Sequence, residues 1–425
     1  MGDILLTLCR YPPEILKRTE FITYSNDPLN PDLSGGVFFH IATKGCEMTM
    51  PKMITDINDV KGLSEQEKAR LSRVTEKYRF YANEYYLSLI DWDDPDDPVR
   101  RIIIPHLDEL DSWGSMDPSC EHLYTVAPSI EHKYTQTALI LSTGACGGVC
   151  RFCFRKRIFQ NGNKDISDDL SGALEYIRSN NSINNVLITG GDALMLPKRK
   201  LRWLVSELRK IDHVNIIRLG SRLPAFNPFR ITEDEEFLDI IRDYSGPKKR
   251  IYVVSHYNHP NELTDIAYQC ITKLLDAGAV MVNQSPLLAG VNDNPVVIGE
   301  LFNRLAEAGN TPYYLFQDRP AFGNRHFSVP IEVGYDMFEE AKSYMSGLAK
   351  RARYVMSHAT GKVEVLAKTK RSMIFRYHQA AKASNEGRVM CFDRNPEAVW
   401  LDDYLEQLSD NNLEGLGMER TALHR

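Results

Sequence analysis

Three cysteines fall within eight residues of the chain, in "TGACGGVCRFCFRKR" (143–157), and a run of cations follows the last of them. Cys146, Cys150 and Cys153 have the spacing C-x3-C-x2-C, with two glycines in the first gap. Thiolates this close together suit a soft metal centre. A closed zinc site needs four ligands, yet after Cys153 the next Cys or His is His213. An iron–sulfur cluster on three thiolates would leave one iron open to a small molecule, and the spacing favours that reading over zinc. The other five cysteines (Cys9, Cys46, Cys120, Cys270, Cys391) are scattered and read as small buried hydrophobes. In a reducing compartment the clustered three bind metal or act in catalysis rather than pair as disulfides.

Two further stretches could do chemistry. "GGD" (190–192) puts a carboxylate after two glycines, a pattern that in isolation is more often a turn than a site. "SHATGKVEV" (357–365) offers Lys362 just after a flexible pair. It is no phosphate-binding P-loop, because Met356 stands where that motif needs glycine and Val363 where it needs a hydroxyl. In "RKR" (155–157), Lys156 and Arg157 read as a solvated basic turn.

Stepping outward to the elements that must carry these residues, the chain turns periodic from about residue 137. "TALILST", "NVLITG", "NIIRLGSR", "RIYVVSHY", "VMVNQSPLL" and "TPYYLFQ" read as buried strands, with amphipathic segments such as "KLRWLVSELRKI" and "VIGELFNRLAEAG" between them. Such alternation implies parallel strands with right-handed crossovers. Six units are too few for the closed eight-stranded barrel, so the expected fold is α/β, a partial (β/α)6 barrel. Chemistry in such folds sits at the C-terminal strand ends. Those ends carry the cysteine loop, "GGDAL", "GSR", "SHYNHP", "NQS" and "QDR". Residues 1–130 read as a mostly helical region, with Ser64 as a helix cap and "DWDDPDDPVRR" as a solvated acidic linker. Residues 131–350 form the barrel, and 351–425 the Lys362 segment and a C-terminal extension whose tail packs loosely or meets another subunit.

The 425 residues are 43 % hydrophobic and 25 % charged, ordinary for a soluble globular protein, and a formal net charge of -6 argues weakly against nucleic acid as the main partner. There is no signal peptide and no apolar run long enough for a bilayer, so a cytoplasmic location is expected.

Read in order, "YYLSLIDWDDPDDPVRR", "HKY", "CRFCFRKR", "LITGGDALML", "LGSRLPAFNPFRIT", "HYNHPNELT" and "NQSPLLAGVND" resemble segments of the lysine 2,3-aminomutase family of radical S-adenosylmethionine (SAM) enzymes, over about residues 52–365. The resemblance implies a radical-SAM barrel. It implies a [4Fe–4S] cluster on Cys146, Cys150 and Cys153 whose open iron binds SAM and cleaves it to a 5′-deoxyadenosyl radical. Gly190, Gly191 and Asp192 would hold the methionine end of SAM, with Ser221, Arg222, His256 and Asn258 around it. Arg155 would clamp the amino-acid carboxylate, a task suited to a guanidinium. Lys362 would form a Schiff base with pyridoxal 5′-phosphate (PLP), and His132, Lys133 and Tyr134 would hold the PLP phosphate. An electron donor such as flavodoxin or ferredoxin and a homo-oligomeric state are further implied.

Three departures from the family pattern bear on this reading. Thr137 stands where a second phosphate arginine is usual, so Lys133 would carry more of that charge, helped by other cations such as Arg222. Cys270 matches a cysteine that joins a C-terminal cysteine cluster in some members, but only Cys391 follows it here, so no structural zinc is expected. The two aspartates that read a lysine ammonium are replaced by Arg319, with Asp318 one place earlier, and by Ser357. That pocket disfavours an ammonium and tolerates an anionic or neutral side chain unless Asp318 turns in. The expected activity is therefore amino-acid 2,3-aminomutation, with glutamate, another non-lysine amino acid or a protein-bound lysine as alternative substrates. From other classes, a radical-SAM nucleic-acid modifier using the basic stretch 151–157, or a non-catalytic metal module, would need neither Lys362 nor PLP.

Overall fold

The computed structural model describes residues 50–160 and 163–405. Expectations for residues 1–49 and for the tail beyond 405 lie outside the described residues. A single sheet of twelve strands follows the chain in unbroken spatial order. It consists of β1 (Thr125–Ala127), β2 (Ile130–Tyr134), β3 (Thr137–Thr143), β4 (Asn185–Gly190), β5 (Ile216–Gly220), β6 (Ile251–Ser255), β7 (Val280–Leu287), β8 (Thr311–Gln317), β9 (Arg353–His358), β10 (Gly361–Lys368), β11 (Ser372–Ala380) and β12 (Val389–Asp393). The strands from β3 to β9 pair in parallel, and antiparallel strands extend both edges. The six expected strands are β3 to β8. The seventh parallel strand was not expected, since "RYVMSH" has polar residues at both ends and only four between them.

Helices α1 (Glu65–Thr75), α2 (Ser171–Ser179), α3 (Lys198–Arg209), α4 (Glu235–Tyr244), α5 (Asp265–Asp276), α6 (Pro295–Glu307) and α7 (Ile331–Ala341) precede the sheet or cross between parallel strands. Strand residues alternate as a pleat requires. Ile140, Ile188, Ile217, Leu219, Val253 and Leu315 face outward into one apolar core. There they meet the helices, for example the i, i+3, i+4, i+7 stripe Leu201, Leu204, Val205 and Leu208 of α3. Their neighbours Leu139, Leu187, Arg218, Val254, Gln284 and Phe316 point the other way and line a single cavity. A flat sheet could not bring these side chains together, so the sheet is wrapped around the cavity while its edges β1 and β12 stay unpaired with each other. The result is an open barrel.

The segment before the barrel builds a second apolar core, in which Ile54, Phe80, Tyr86 and Ile103 pack with Phe152 and Phe226 of the barrel loops. Ser64 and Glu67 form the expected cap of α1, each side chain bonded to the other's backbone N–H (3.3 and 2.9 Å). The acidic break is not wholly solvated: Asp97 is buried and accepts from the Arg100 and Asp91 N–H groups (2.7 and 3.3 Å), so it caps a short helix. The basic stretch 151–157 is likewise not a solvated turn. Arg151 forks onto Glu109 at 2.9 and 2.7 Å with both side chains buried. Lys156 donates to the Phe322 carbonyl and Asn324 Oδ1, both at 2.9 Å. Arg157 binds Asp165 at 2.7 Å and Glu121 at 2.5 Å.

Of these, the Arg151–Glu109 and Arg157–Glu121 pairs fasten the front segment to the cysteine loop. Replacing Glu109 by Gln would leave Arg151 buried without its counter-charge, and breaking such a pair costs about 3–5 kcal/mol. The expected result is a matching drop in urea unfolding free energy; a loss below 1 kcal/mol, roughly that of a surface pair, would contradict it.

Candidate active site

The cavity has a volume of about 320 Å³ and lies at the C-terminal ends of the parallel strands. Cys146, Cys150 and Cys153 form one wall, and their thiols are free. Burial pushes all three thiols up, that of Cys153 to about 11, and the neighbouring cysteines add to the shift at Cys146 and Cys153. The triplet therefore shares one electrostatic neighbourhood. Yet among the described residues no three Cys, His, Asp or Glu side chains converge on a point that one ion could fill. Three thiols gathered on one loop at the cavity wall fit a multi-iron cluster held by three thiolates, which leaves one iron open to a small molecule.

The β4 end is laced to the cysteine loop. Gly191 N–H donates to the Thr143 carbonyl (2.6 Å) and Asp192 N–H to the Ala145 carbonyl (2.8 Å). A Cβ on Gly190 (φ +121) would lie 2.4 Å from the Thr143 carbonyl oxygen, and one on Gly191 2.3 Å from that of Ala145, so only glycine fits at either place. Asp192 is spent on the backbone: its carboxylate accepts from the N–H groups of Leu194 (2.9 Å), Arg222 (2.8 Å) and Leu223 (3.0 Å). It orders two adjacent strand-end loops at once.

Arg222 stands on the cysteine side of the cavity. Its Nη1 donates to Cys150 Sγ (3.0 Å) and its Nη2 to Glu262 (2.6 Å) and the Tyr86 hydroxyl (3.1 Å), with the guanidinium 4.5 Å from the Phe226 ring centre. Burial opposes its charge, but Cys150 and Glu262 more than offset it and hold its pKa above the usual value. These contacts tie Arg222 to Cys150; the cations beside Lys362 are others.

Lys362 follows directly from the seventh strand. β9 brings the chain to the strand-end face, and a tight antiparallel return sets Lys362 opposite Ser357, both lining the cavity. The return is clamped from the front segment. Ser119 Oγ donates to the Ser357 carbonyl (3.1 Å), Lys133 Nζ to that of His358, and the Tyr124 hydroxyl to that of Ala359 (2.7 Å). On its other side His358 joins Thr360 (2.7 Å) to Asp402 (2.9 Å). The Lys362 amine lies 4.3 Å from the Tyr314 ring centre and 5.6 Å from that of Phe316. Burial, then Arg218, Arg319 and Lys133, pull its pKa down to about 7. Burial and Arg319 bring Lys133 to about 8.

Acids and cations meet on the remaining wall. Arg155 forks onto Glu121 (3.1 and 2.8 Å) and leaves Nη1 towards Thr189 (3.5 Å). Burial alone would raise Glu121, yet Arg155 and Arg157 hold it well below the ordinary range. Glu131 has an unpartnered buried Oε1, and burial followed by Glu121 pushes it up to about 8. Burial also lifts Asp318 to about 8, with Asn324 Nδ2 3.4 Å from each of its oxygens. Arg319 lies 3.5 Å from the Phe154 ring centre, and its Nη1 and the Tyr134 hydroxyl are buried without partners among the described residues. Two donors left open beside an amine and several cations fit a bound anion such as a phosphate monoester.

Of the residues singled out in the sequence, the cavity gathers the three cysteines, Lys133, Tyr134, Arg155, Gly190, Gly191, Asp192, Ser221, Arg222, His256, Asp318, Arg319, Ser357 and Lys362. It does not gather His132, whose ring turns to Tyr176 (2.8 Å) and the Thr135 carbonyl (3.2 Å). Nor does it gather Asn258, fully buried behind the wall with its N–H on Glu262. Sequence reasoning missed Glu121, Glu131 and Arg218. Arg218 had a signal, a cation at an inward position of the apolar run "NIIRLG"; the two glutamates had none.

No family model matches the chain. Individual proteins do. One from Aquifex aeolicus (strain VF5), provisionally named an L-lysine 2,3-aminomutase, is 46 % identical over 360 residues, 84 % of this chain and 96 % of that protein. The L-lysine 2,3-aminomutase of Clostridium subterminale is 35 % identical over 67 % of this chain and 68 % of its own length. The glutamate 2,3-aminomutase of Clostridioides difficile (strain 630) is also 35 % identical, over 71 % of this chain and 69 % of its own. With near-complete coverage of the first, and with its cysteine triplet on the loop after the first parallel strand, the chain belongs to the lysine 2,3-aminomutase family of radical SAM enzymes.

Proposed function

We propose that the protein is a cytoplasmic, PLP-dependent radical SAM 2,3-aminomutase that moves an amino group from C2 to C3 of an amino acid without a distal ammonium. The observation that carries the PLP part is the Lys362 amine: half-buried, flanked by two aromatic rings, with its pKa pulled down to about 7, in the same cavity as the cysteine triplet. A lysine desolvated among cations is a nucleophile at neutral pH. When bound, PLP supplies the carbonyl that such an amine captures and the conjugation that lets nitrogen migrate as a radical; the cluster and SAM supply hydrogen-atom abstraction.

The contacts support the following roles for this chain's residues. Cys146, Cys150 and Cys153 hold the cluster, and Arg222 neutralises the Cys150 thiolate. The loops 190–192 and 220–222, locked together by Asp192, cradle the methionine end of SAM beside His256. Tyr134, Lys133 and Arg319 present donors to the cofactor phosphate. Arg155 reaches the substrate carboxylate through its Nη1 edge, which makes a long contact to Thr189 (3.5 Å), while Glu121 fixes its plane. A flavodoxin- or ferredoxin-type donor and a homo-oligomeric assembly complete the proposal.

The substrate reading rests on the state of the acids. An ammonium needs an ionised carboxylate, and Glu121 is consumed by two arginines while burial keeps Glu131 and Asp318 largely protonated at neutral pH. At the two positions that would read a lysine side chain stand Arg319 and Ser357. Among the relatives, a lysine enzyme and a glutamate enzyme match equally well at 35 % identity, while the 46 % identical one is provisionally named for lysine.

Three outcomes are expected. Borohydride treatment of the PLP-loaded protein should fix the label on Lys362, as read by peptide mass spectrometry; a label on another lysine, or on none, would remove the aminomutase reading. Cys150→Ala should abolish the brown iron–sulfur absorbance and SAM cleavage while leaving the circular dichroism spectrum intact, and a variant that still cleaves SAM at the normal rate would sink the cluster assignment. For the substrate, kcat/KM for L-lysine should lie at least about tenfold below that for L-glutamate, the weight of one charge-assisted contact of about 1.5–3 kcal/mol, and Arg319→Asp with Ser357→Asp should narrow the gap. If wild type prefers lysine and Asp318→Ala destroys that preference, Asp318 reads the ammonium and the substrate reading fails.

A further inference from the structure

The cysteine loop has two faces. Val149, Cys150 and Phe159 line the main cavity and also a second cavity of about 420 Å³ on the opposite side of the loop. The outer cavity is bounded by Lys77 and Arg79 from the front segment and by Arg151 and Lys156 from the loop, with Glu76 as an acid on its rim. Two hydrogen bonds bolt this part of the front segment to the loop: Val149 N–H to the Tyr81 carbonyl (2.8 Å) and Arg151 Nη1 to the Arg79 carbonyl (2.9 Å).

A stripe of cations runs up to this mouth. Arg70 and Arg73 on α1, then Lys77, lie at i, i+3 and i+7 on one face, and Arg79 continues the line; all four are exposed. Nearby basic residues are neutralised: Lys68 pairs with Glu65 (2.8 Å), Arg100 with Glu67 (2.6 Å) and Arg151 with Glu109 (2.7 Å). The four of the stripe form no ion pair with a described residue; Lys77 and Arg79 instead lie 5.0 and 5.5 Å from the tyrosine rings of Tyr78 and Tyr81. On a chain of net charge -6, an unpaired positive stripe beside the outer face of the cluster-bearing loop is a local exception. It would select an acidic partner that the rest of the surface repels.

We infer that this stripe is the docking surface for an acidic one-electron carrier protein, which seats its redox group over the outer face of the cysteine loop at Cys150. The carrier is oxidised by one electron and the cluster reduced by one. This inference rests on the cluster assignment made above, and it adds the place and the chemistry of the contact.

The test uses the full-length reconstituted enzyme and a reduced flavodoxin as the probe. Arg73→Glu, Lys77→Glu and Arg79→Glu are combined in one variant and their glutamine counterparts in a second. Calorimetry should show that wild type binds flavodoxin with an affinity that falls as salt is raised. The charge-reversed variant should bind at least about tenfold more weakly and the glutamine variant should fall between. SAM cleavage driven by flavodoxin should drop in the same order, while cleavage driven by dithionite, which needs no docking, should stay at the wild-type rate in both. Unchanged flavodoxin affinity in the charge-reversed variant would overturn the inference. So would salt-insensitive binding, or a wild type that ignores flavodoxin but binds a short RNA duplex through the same residues. A wild type without dithionite-driven cleavage would instead remove the cluster assignment beneath it.

Discussion

Gathering four half-buried cations around one cavity is the constraint around which the structure is arranged. Lys133, Arg218, Arg319 and Lys362 line the same interior, and burial lowers the pKa of each. Removing charge from water is expensive unless an opposite charge or a change of protonation relieves it. Glu121, the nearby acid held ionised, is already engaged by Arg155 and Arg157. The relief comes chiefly from Lys362, whose amine is pulled down to about 7 and can shed its proton. The same field that makes the interior hospitable to a phosphate thus makes the Lys362 amine reactive.

The scaffold around that interior is fixed by hydrogen bonds to the backbone more than by side-chain pairs. Asp192 accepts from three N–H groups of adjacent loops as well as meeting the Ser221 side chain, and Ser119, Lys133 and Tyr124 each take one carbonyl of the turn before Lys362. Such bonds hold loops in place without regard to what is bound, which is what a site that must keep reactive intermediates from water requires. The front segment is part of the site, since it contributes Ser119, Glu121 and Tyr124 and roofs the cysteine loop through Phe80 and Tyr86.

Much of this was legible in the sequence. The six apolar runs announced their strands because each is buried on its helix side, and their polar ends marked the mouth of the barrel. The cysteine triplet and Lys362 stood out by type and spacing. What stayed hidden depends on contacts between distant segments. Nothing in "RKR" tells that Lys156 and Arg157 will meet Asn324 and Asp165 inside the protein instead of water. β9 was concealed by its polar ends, and with it the reason that Lys362 arrives at the strand-end face. His132 sits beside two cavity residues in sequence, but an irregularity between Glu131 and Tyr134 in the pairing of β2 with β3 turns it outward. Glu121 and Glu131 carry no local pattern, and their importance comes from the arginine each meets or lacks.

The central claim is that the fold makes one lysine a free amine at neutral pH. Competitive acylation of the protein without PLP, read site by site by mass spectrometry as pH is raised, reports that directly. Because burial and neighbouring cations disfavour the ammonium, the Lys362 amine should become reactive with a midpoint near pH 7, while exposed lysines follow at about 10.4. A Lys362 midpoint at the value of the exposed lysines would mean that the cavity does not disfavour its charge, and would contradict the account.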